Sequence, residues 1–100
     1  MHTVNLAIQV LPLNMEQAEA IRIIDVAIAR IQRSGLKYVV CPFETVIEGK
    51  YPEVMKLLDD IQDDCYMAGA ETIIINMKLH RSAVKDLAIE DKIGKYNFNQ

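Results

Sequence analysis

Tryptophan is missing from this 100-residue chain, and only two cysteines, three prolines and four glycines occur in it. Each shortage removes a class of protein. Cys41 and Cys65 lack CxxC spacing, so neither a zinc ribbon nor a disulfide-stapled secreted scaffold is indicated. The expectation is two reduced thiols and a cytoplasmic setting. Sparse glycine and proline exclude linker-like and low-complexity architecture, and no glycine-rich phosphate loop occurs. No apolar run reaches the ~18 residues that a membrane-spanning helix needs. The opening MHTVNLAIQVLPLN lacks a basic leader region and meets Pro12 early, so it does not read as a signal peptide. Positive charge is also short, with 11 lysines and arginines against 14 acidic residues and a net charge of −3. A nucleic-acid surface would require the opposite balance.

Apolar side chains make up 51% of the chain, enough to build a core, and residues 1–100 are read as one domain. Val4, Leu6, Ile8 and Val10 alternate with Thr3, Asn5, Ala7 and Gln9, a period of two that predicts a half-buried strand. Asn14 with Gln17 suggests a helix cap, and residues 15–33 carry Ala20, Ile21, Ile24, Ala27, Ile28 and Ile31 at helical spacing. Gly35 ends that helix. LKYVVC (36–41) and FETVIEG (43–49) read as strands separated by Pro42. Pro52 and Glu53 suit the first turn of a second helix running to about Ala68. ETIIINMKLH (71–80) is a fourth strand. A short helix is expected from Ser82 through Ile93, with Gly94 as its stop and KYNFNQ as a loose tail.

The order β-α-β-β-α-β predicts an α+β, ferredoxin-like fold: a four-stranded antiparallel sheet with two helices on one face, plus a short C-terminal helix. The first and third strands would be central. The other face would then carry Thr3, Asn5, Ala7, Gln9, Lys37, Val39, Cys41, Glu44, Val46, Glu48, Thr72, Ile74, Asn76 and Lys78. Apolar groups among these polar ones suggest cover by a second copy. The plain reading of Glu44 and Glu48 is solvation on an open antiparallel face. The alternative is a ligand site.

Other constellations carry little chemistry. His2 and His80 have no ligand spacing with the cysteines, so no metal site is expected. Cys41 has no base beside it in the sequence and reads as a small buried hydrophobe. Glu44 and Glu48 would sit about 13 Å apart along a strand, too far to act on one bond. No catalytic residue and no cofactor are expected.

SGLKYVVCPFETVIEGKYPEVMKLL (34–58) resembles the small thiamine-binding protein family. The matching elements are Ser34-Gly35-Leu36, Tyr38, Pro42 with Thr45, Val46-Ile47, Glu48-Gly49 and Glu53-Val54-Met55. Val10 and Pro12 at the end of the first strand also fit. The resemblance implies a ferredoxin-like fold, dimers or tetramers assembled through the sheets, and non-catalytic binding of thiamine or a related pyrimidine such as hydroxymethylpyrimidine. It carries Glu48 and Thr45 over as ligand-binding positions, with Val46, Ile47 and Phe43 as apolar wall. Strand phase adds Asn5, Gln9 and Asn76. Strict alternation puts Thr45 and Glu48 on opposite faces, so both would touch one ligand only at a strand end or beside a bulge. Two departures stand out: Phe43-Glu44 after the turn proline, and Lys78-Leu79-His80-Arg81 after the fourth strand. A ligand-free regulatory or protein-interaction module of the same fold is the alternative.

Overall fold

The structure, a computed structural model, describes residues 2–97. Seven elements follow one another: β1 (Thr3–Pro12), α1 (Gln17–Arg33), β2 (Lys37–Val40), β3 (Thr45–Lys50), α2 (Tyr51–Met67), β4 (Ile73–His80) and α3 (Ile89–Asn97). The strands form one antiparallel sheet in the order β2-β3-β1-β4, with β3 and β1 central as expected. The alternation in β1 sets its faces. Val4, Leu6, Ile8 and Val10 are buried with Ile47 under Ile23, Ala27 and Ile31 of α1 and Val54, Leu57, Ile61 and Cys65 of α2. Burying each such aliphatic side chain contributes roughly 1.5–3 kcal/mol, so this layer is the main source of stability.

The buried stripe of α1 differs from the expected one. Ile23 is fully buried and Ile21 is half exposed. Apolar residues occupy more than half of this helix's circumference between Ile21 and Ile28, so periodicity leaves the phase open by a position or two. Contact with the sheet fixes it. The helix start also differs. Asn14 adopts φ 59, a left-handed turn conformation. The helix begins at Gln17 behind Glu16, with no side-chain cap. Gly35 and Gly69, at φ 78 and 116, supply the left-handed residues after α1 and α2. The helices are clamped together by Arg30, which donates to both Asp64 carboxylate oxygens at 2.7 and 2.8 Å.

The C-terminal quarter departs most. Residues 81–88 are irregular, the helix starts only at Ile89, and Gly94 lies inside it. Ser82 accepts the Val84 N–H at 3.2 Å, closing a local turn instead of capping a helix. Of the expected loose tail, Lys95–Asn97 belongs to α3, and residues 98–100 lie outside the described residues. The irregular segment crosses one end of the helix-free face. Asp86 accepts the Thr3 N–H at 2.7 Å, Leu87 donates its N–H to the Thr3 carbonyl at 3.2 Å, and Asn5 donates to the Leu87 carbonyl at 3.0 Å. Leu87 and Ile89 are buried there. The face left bare by α1 and α2 is therefore bare only in part.

Candidate functional site

β1 has ten residues and β3 has six. Their pairing runs from Thr3 opposite Lys50 to Ile8 opposite Thr45, and there β3 ends. β1 continues through Gln9–Pro12, paired on its other side with β4. Along this overhang the β3-side edge has no strand partner. Alternate residues of an antiparallel strand turn both N–H and C=O toward the same edge. The Leu13 N–H is used on the β4 side, so by this alternation the free edge offers the Val10 N–H and the carbonyls of Val10 and Pro12, without any side chain.

A cleft of about 260 Å³ lies beside this edge. β1 supplies Ile8, Gln9, Val10 and Leu11, and α1 supplies Ile24, Ala27, Ile28 and Ile31 as an aliphatic wall. The third side is the turn from Val40 to Thr45, closed by the Cys41 N–H donating to the Glu44 carbonyl at 2.9 Å. Pro42 cannot extend the ladder, so β2 stops and the chain reverses here. The turn lifts Phe43 to the rim, where it is 82% exposed.

Polar groups in the cleft are few. Thr45 is only 6% exposed, yet its hydroxyl joins none of the side-chain hydrogen bonds among the described residues. A hydroxyl placed there can offer one hydrogen bond to a ligand or water in the cleft. Glu44 lines the same cleft and forms no ion pair among the described residues. No lysine, arginine or histidine is in the lining. Cys41 lines the rim. The other thiol, Cys65, is fully buried, and burial pushes it above its ordinary value, away from reactivity.

The residues named from sequence fall into separate places. Phe43, Thr45 and Gln9 border the cleft, although the Gln9 amide is held on the helix-free face by Asn76 at 3.3 Å. Glu48 and Asn5 face each other across β3 and β1 on that opposite face. Glu48 accepts the Ile89 N–H, and the Asn5 amide holds Leu87 while its Oδ1 has no hydrogen-bond partner. Val46 lies on the same face, opposite Ala7 and Val39. Ile47 is fully buried in the core and reaches neither surface. Thr45 and Glu48 therefore do not share a pocket, and the strand has no bulge to bring them together. The α1 wall has no signal in the sequence, where Ile24 and Ile28 read as core, and Glu44, expected on the open face, lies in the cleft lining instead. The useful signal was the mismatch in length between a ten-residue first strand and the short third one. Among the described residues no cluster of three or more His, Cys, Asp or Glu side chains is placed to hold a metal, and no helix is long and apolar enough to cross a membrane.

Sheet order, connectivity and helix placement define a ferredoxin-like α+β domain that carries a small, mostly aliphatic cleft beside the β1 overhang. The chain belongs to the thiamine-binding protein family, whose model matches residues 6–97. It is 30% identical to the UPF0045 protein CPE1503 of Clostridium perfringens over 96 residues, covering 96% of this chain and 99% of that one. Among solved structures it is similar to a domain of unknown function from Bacillus cereus, with 28% identity, a TM-score of 0.88, and coverage of 98% of this chain and 93% of that one. It is also similar to TM0486 of Thermotoga maritima, described as a proposed thiamine biosynthesis/salvage protein, with 28% identity, a TM-score of 0.87, and coverage of 95% and 99%.

Proposed function

We propose that this protein binds thiamine, or a related aminopyrimidine, in the cleft between α1 and the β1 overhang, and does so without transforming it. One observation carries the reading: Thr45, a mostly buried residue, lines this cleft, and its hydroxyl joins none of the side-chain hydrogen bonds among the described residues. An aminopyrimidine is flat, with ring-nitrogen acceptors and an exocyclic amine donor. The backbone edge of Gln9–Pro12 complements such a pattern, Thr45 adds one hydroxyl, and Ile24 and Ile28 face the ring. At about 260 Å³ the cleft suits one small aromatic group. Among its lining residues no nucleophile is paired with a base, which favours binding over catalysis. The family's description and that of the Thermotoga relative support a ligand of the thiamine type. Glu48 and Asn5 are assigned to holding the C-terminal segment.

The working form is a homo-oligomer, a dimer or tetramer joined through the sheets. In support, Ala7, Val39 and Val46 form an apolar row on the part of the helix-free face beyond the Asn5–Leu87 contact. Two unpaired thiols favour a reducing, cytoplasmic location.

Isothermal titration with thiamine tests the ligand. Binding is expected, with Thr45→Val weakening it about tenfold, a loss on the order of one hydrogen bond. The Thr45→Val variant should unfold within about 1 kcal/mol of wild type, since the hydroxyl joins none of those side-chain hydrogen bonds. Absence of heat with both thiamine and hydroxymethylpyrimidine would leave the ligand-free interaction module as the better description. Light scattering reads the assembly, and a monomer at micromolar concentration would remove the sheet-to-sheet contact.

A further inference from the structure

The geometry points to Glu44 as a charge filter that restricts the cleft to the unphosphorylated, cationic form of its ligand and turns away phosphate esters. This rests on the cleft being the thiamine site. Glu44 is the single ionisable carboxylate in the lining, it is half-buried, and no lysine, arginine or histidine accompanies it there. A site for a phosphate ester ordinarily offers arginines, lysines or a helix N-terminus to the anion. Here the flanking helix, α1, presents Ile24 to Ile31, which is the middle and last part of a helix spanning Gln17–Arg33, so its positive end is distant. Arg30 and Arg33, on the last turn of α1, are already committed to Asp64.

The two ligand forms meet this environment with opposite charge. Thiamine carries a permanent positive thiazolium, which a neighbouring carboxylate attracts. Its phosphate monoester adds about −1.5 to −2 charge near neutral pH. In a cleft of about 260 Å³ with Glu44 in its lining, the ester's tail would leave past the rim this carboxylate shares. It would find repulsion and no compensating cation. Glu44 sits in the turn between β2 and β3, where its backbone carbonyl accepts the Cys41 N–H at 2.9 Å, so the main chain that carries this carboxylate is held at the rim.

The test is titration of thiamine and thiamine monophosphate into wild type, Glu44→Gln and Glu44→Lys at low salt. Wild type should bind thiamine at least tenfold more tightly than the monophosphate. Glu44→Gln should bring the ratio toward one, and Glu44→Lys should invert it. Added salt should shrink the wild-type ratio, as screening requires. Equal wild-type affinity for both forms overturns the filter while leaving the thiamine site standing. A ratio unchanged in both variants overturns Glu44's part in it. Failure of thiamine itself to bind overturns the underlying reading and the filter with it. Circular dichroism of each variant separates lost selectivity from lost folding, and Glu44→Gln preserves shape should the lysine variant unfold.

Discussion

The Glu48 carboxylate accepts a 2.7 Å hydrogen bond from the backbone N–H of Ile89, 41 residues further along the chain. Ile89 is the first residue of α3, so a strand side chain caps a distant helix. The carboxylate both satisfies an orphan donor and faces the positive end of the helix dipole. Together with Asn5 holding the Leu87 carbonyl, it ties the C-terminal segment to the sheet.

Removing that cap should cost stability and spare binding. Glu48→Ala is expected to lower unfolding free energy by about 1 kcal/mol, within the range found for lost N-terminal caps. Hydrogen exchange should speed up first in residues 87–97, the segment it holds. The thiamine dissociation constant should change less than twofold. A large loss of affinity with exchange unchanged would return Glu48 to the ligand site.

Filling the cleft should do the reverse. Ile28 is a half-buried wall residue of α1 that lines the cleft. Ile28→Phe projects added ring atoms into the empty space, where they displace a ligand without overpacking the core. Calorimetry should show at least a tenfold loss in thiamine affinity. Thermal unfolding should stay within a few degrees of wild type.

Gly49 offers a packing prediction independent of ligand. A Cβ there would meet Leu36 Cδ1, Leu36 Cδ2 and Val54 Cγ2, each at 3.2 Å. Val54 is fully buried, so it has little room to yield. Overpacking of this kind costs about 1–3 kcal/mol, while replacing glycine by alanine returns roughly 0.4–1 kcal/mol through the unfolded chain. The packing cost is the larger, and Gly49→Ala should destabilise by about 1 kcal/mol in urea titration. An increase in stability would mean that Leu36 moves aside freely.

The fold was legible because its signals are local. Alternation in β1, the Pro42 reversal and Pro52 at the start of α2 each fix an element within a few residues. The site was not legible in the same way. Glu44 and Glu48 share a strand pattern, but the ladder begins only at Thr45, so Glu44 belongs to a turn and escapes the alternation. That single shift moves one carboxylate to the cleft and leaves the other on the opposite face. The partnership of Glu48 with Ile89 spans 41 residues and has no local signature. The α1 wall was hidden for another reason: Ile24 and Ile28 satisfy the same periodicity whether they meet the sheet or a cavity beside it.

The Arg30–Asp64 clamp gives the protein a defined acid response. Arg30 hydrogen-bonds the Asp64 carboxylate, and with added attraction from Arg33 this holds Asp64 below the ordinary carboxylate range despite its burial. A carboxyl whose folded value is depressed binds protons more readily when the chain is unfolded. Its contribution is therefore complete above the unfolded value, near pH 4. It declines as pH falls from there through the lower folded value. Asp64→Asn removes this linkage, so the stability difference between wild type and variant should be about 1 kcal/mol at pH 7, discounting for partial exposure of the arginines. As pH falls below about 4 the difference should shrink steadily, because protonation progressively neutralises the wild-type carboxyl as well. Urea midpoints measured from pH 7 to pH 2.5 follow it directly. Asp59→Asn, on the exposed side of α2, should show no comparable gap. A gap for Asp64→Asn that grows with acidity would mean that the clamp does not stabilise the folded state through its charge.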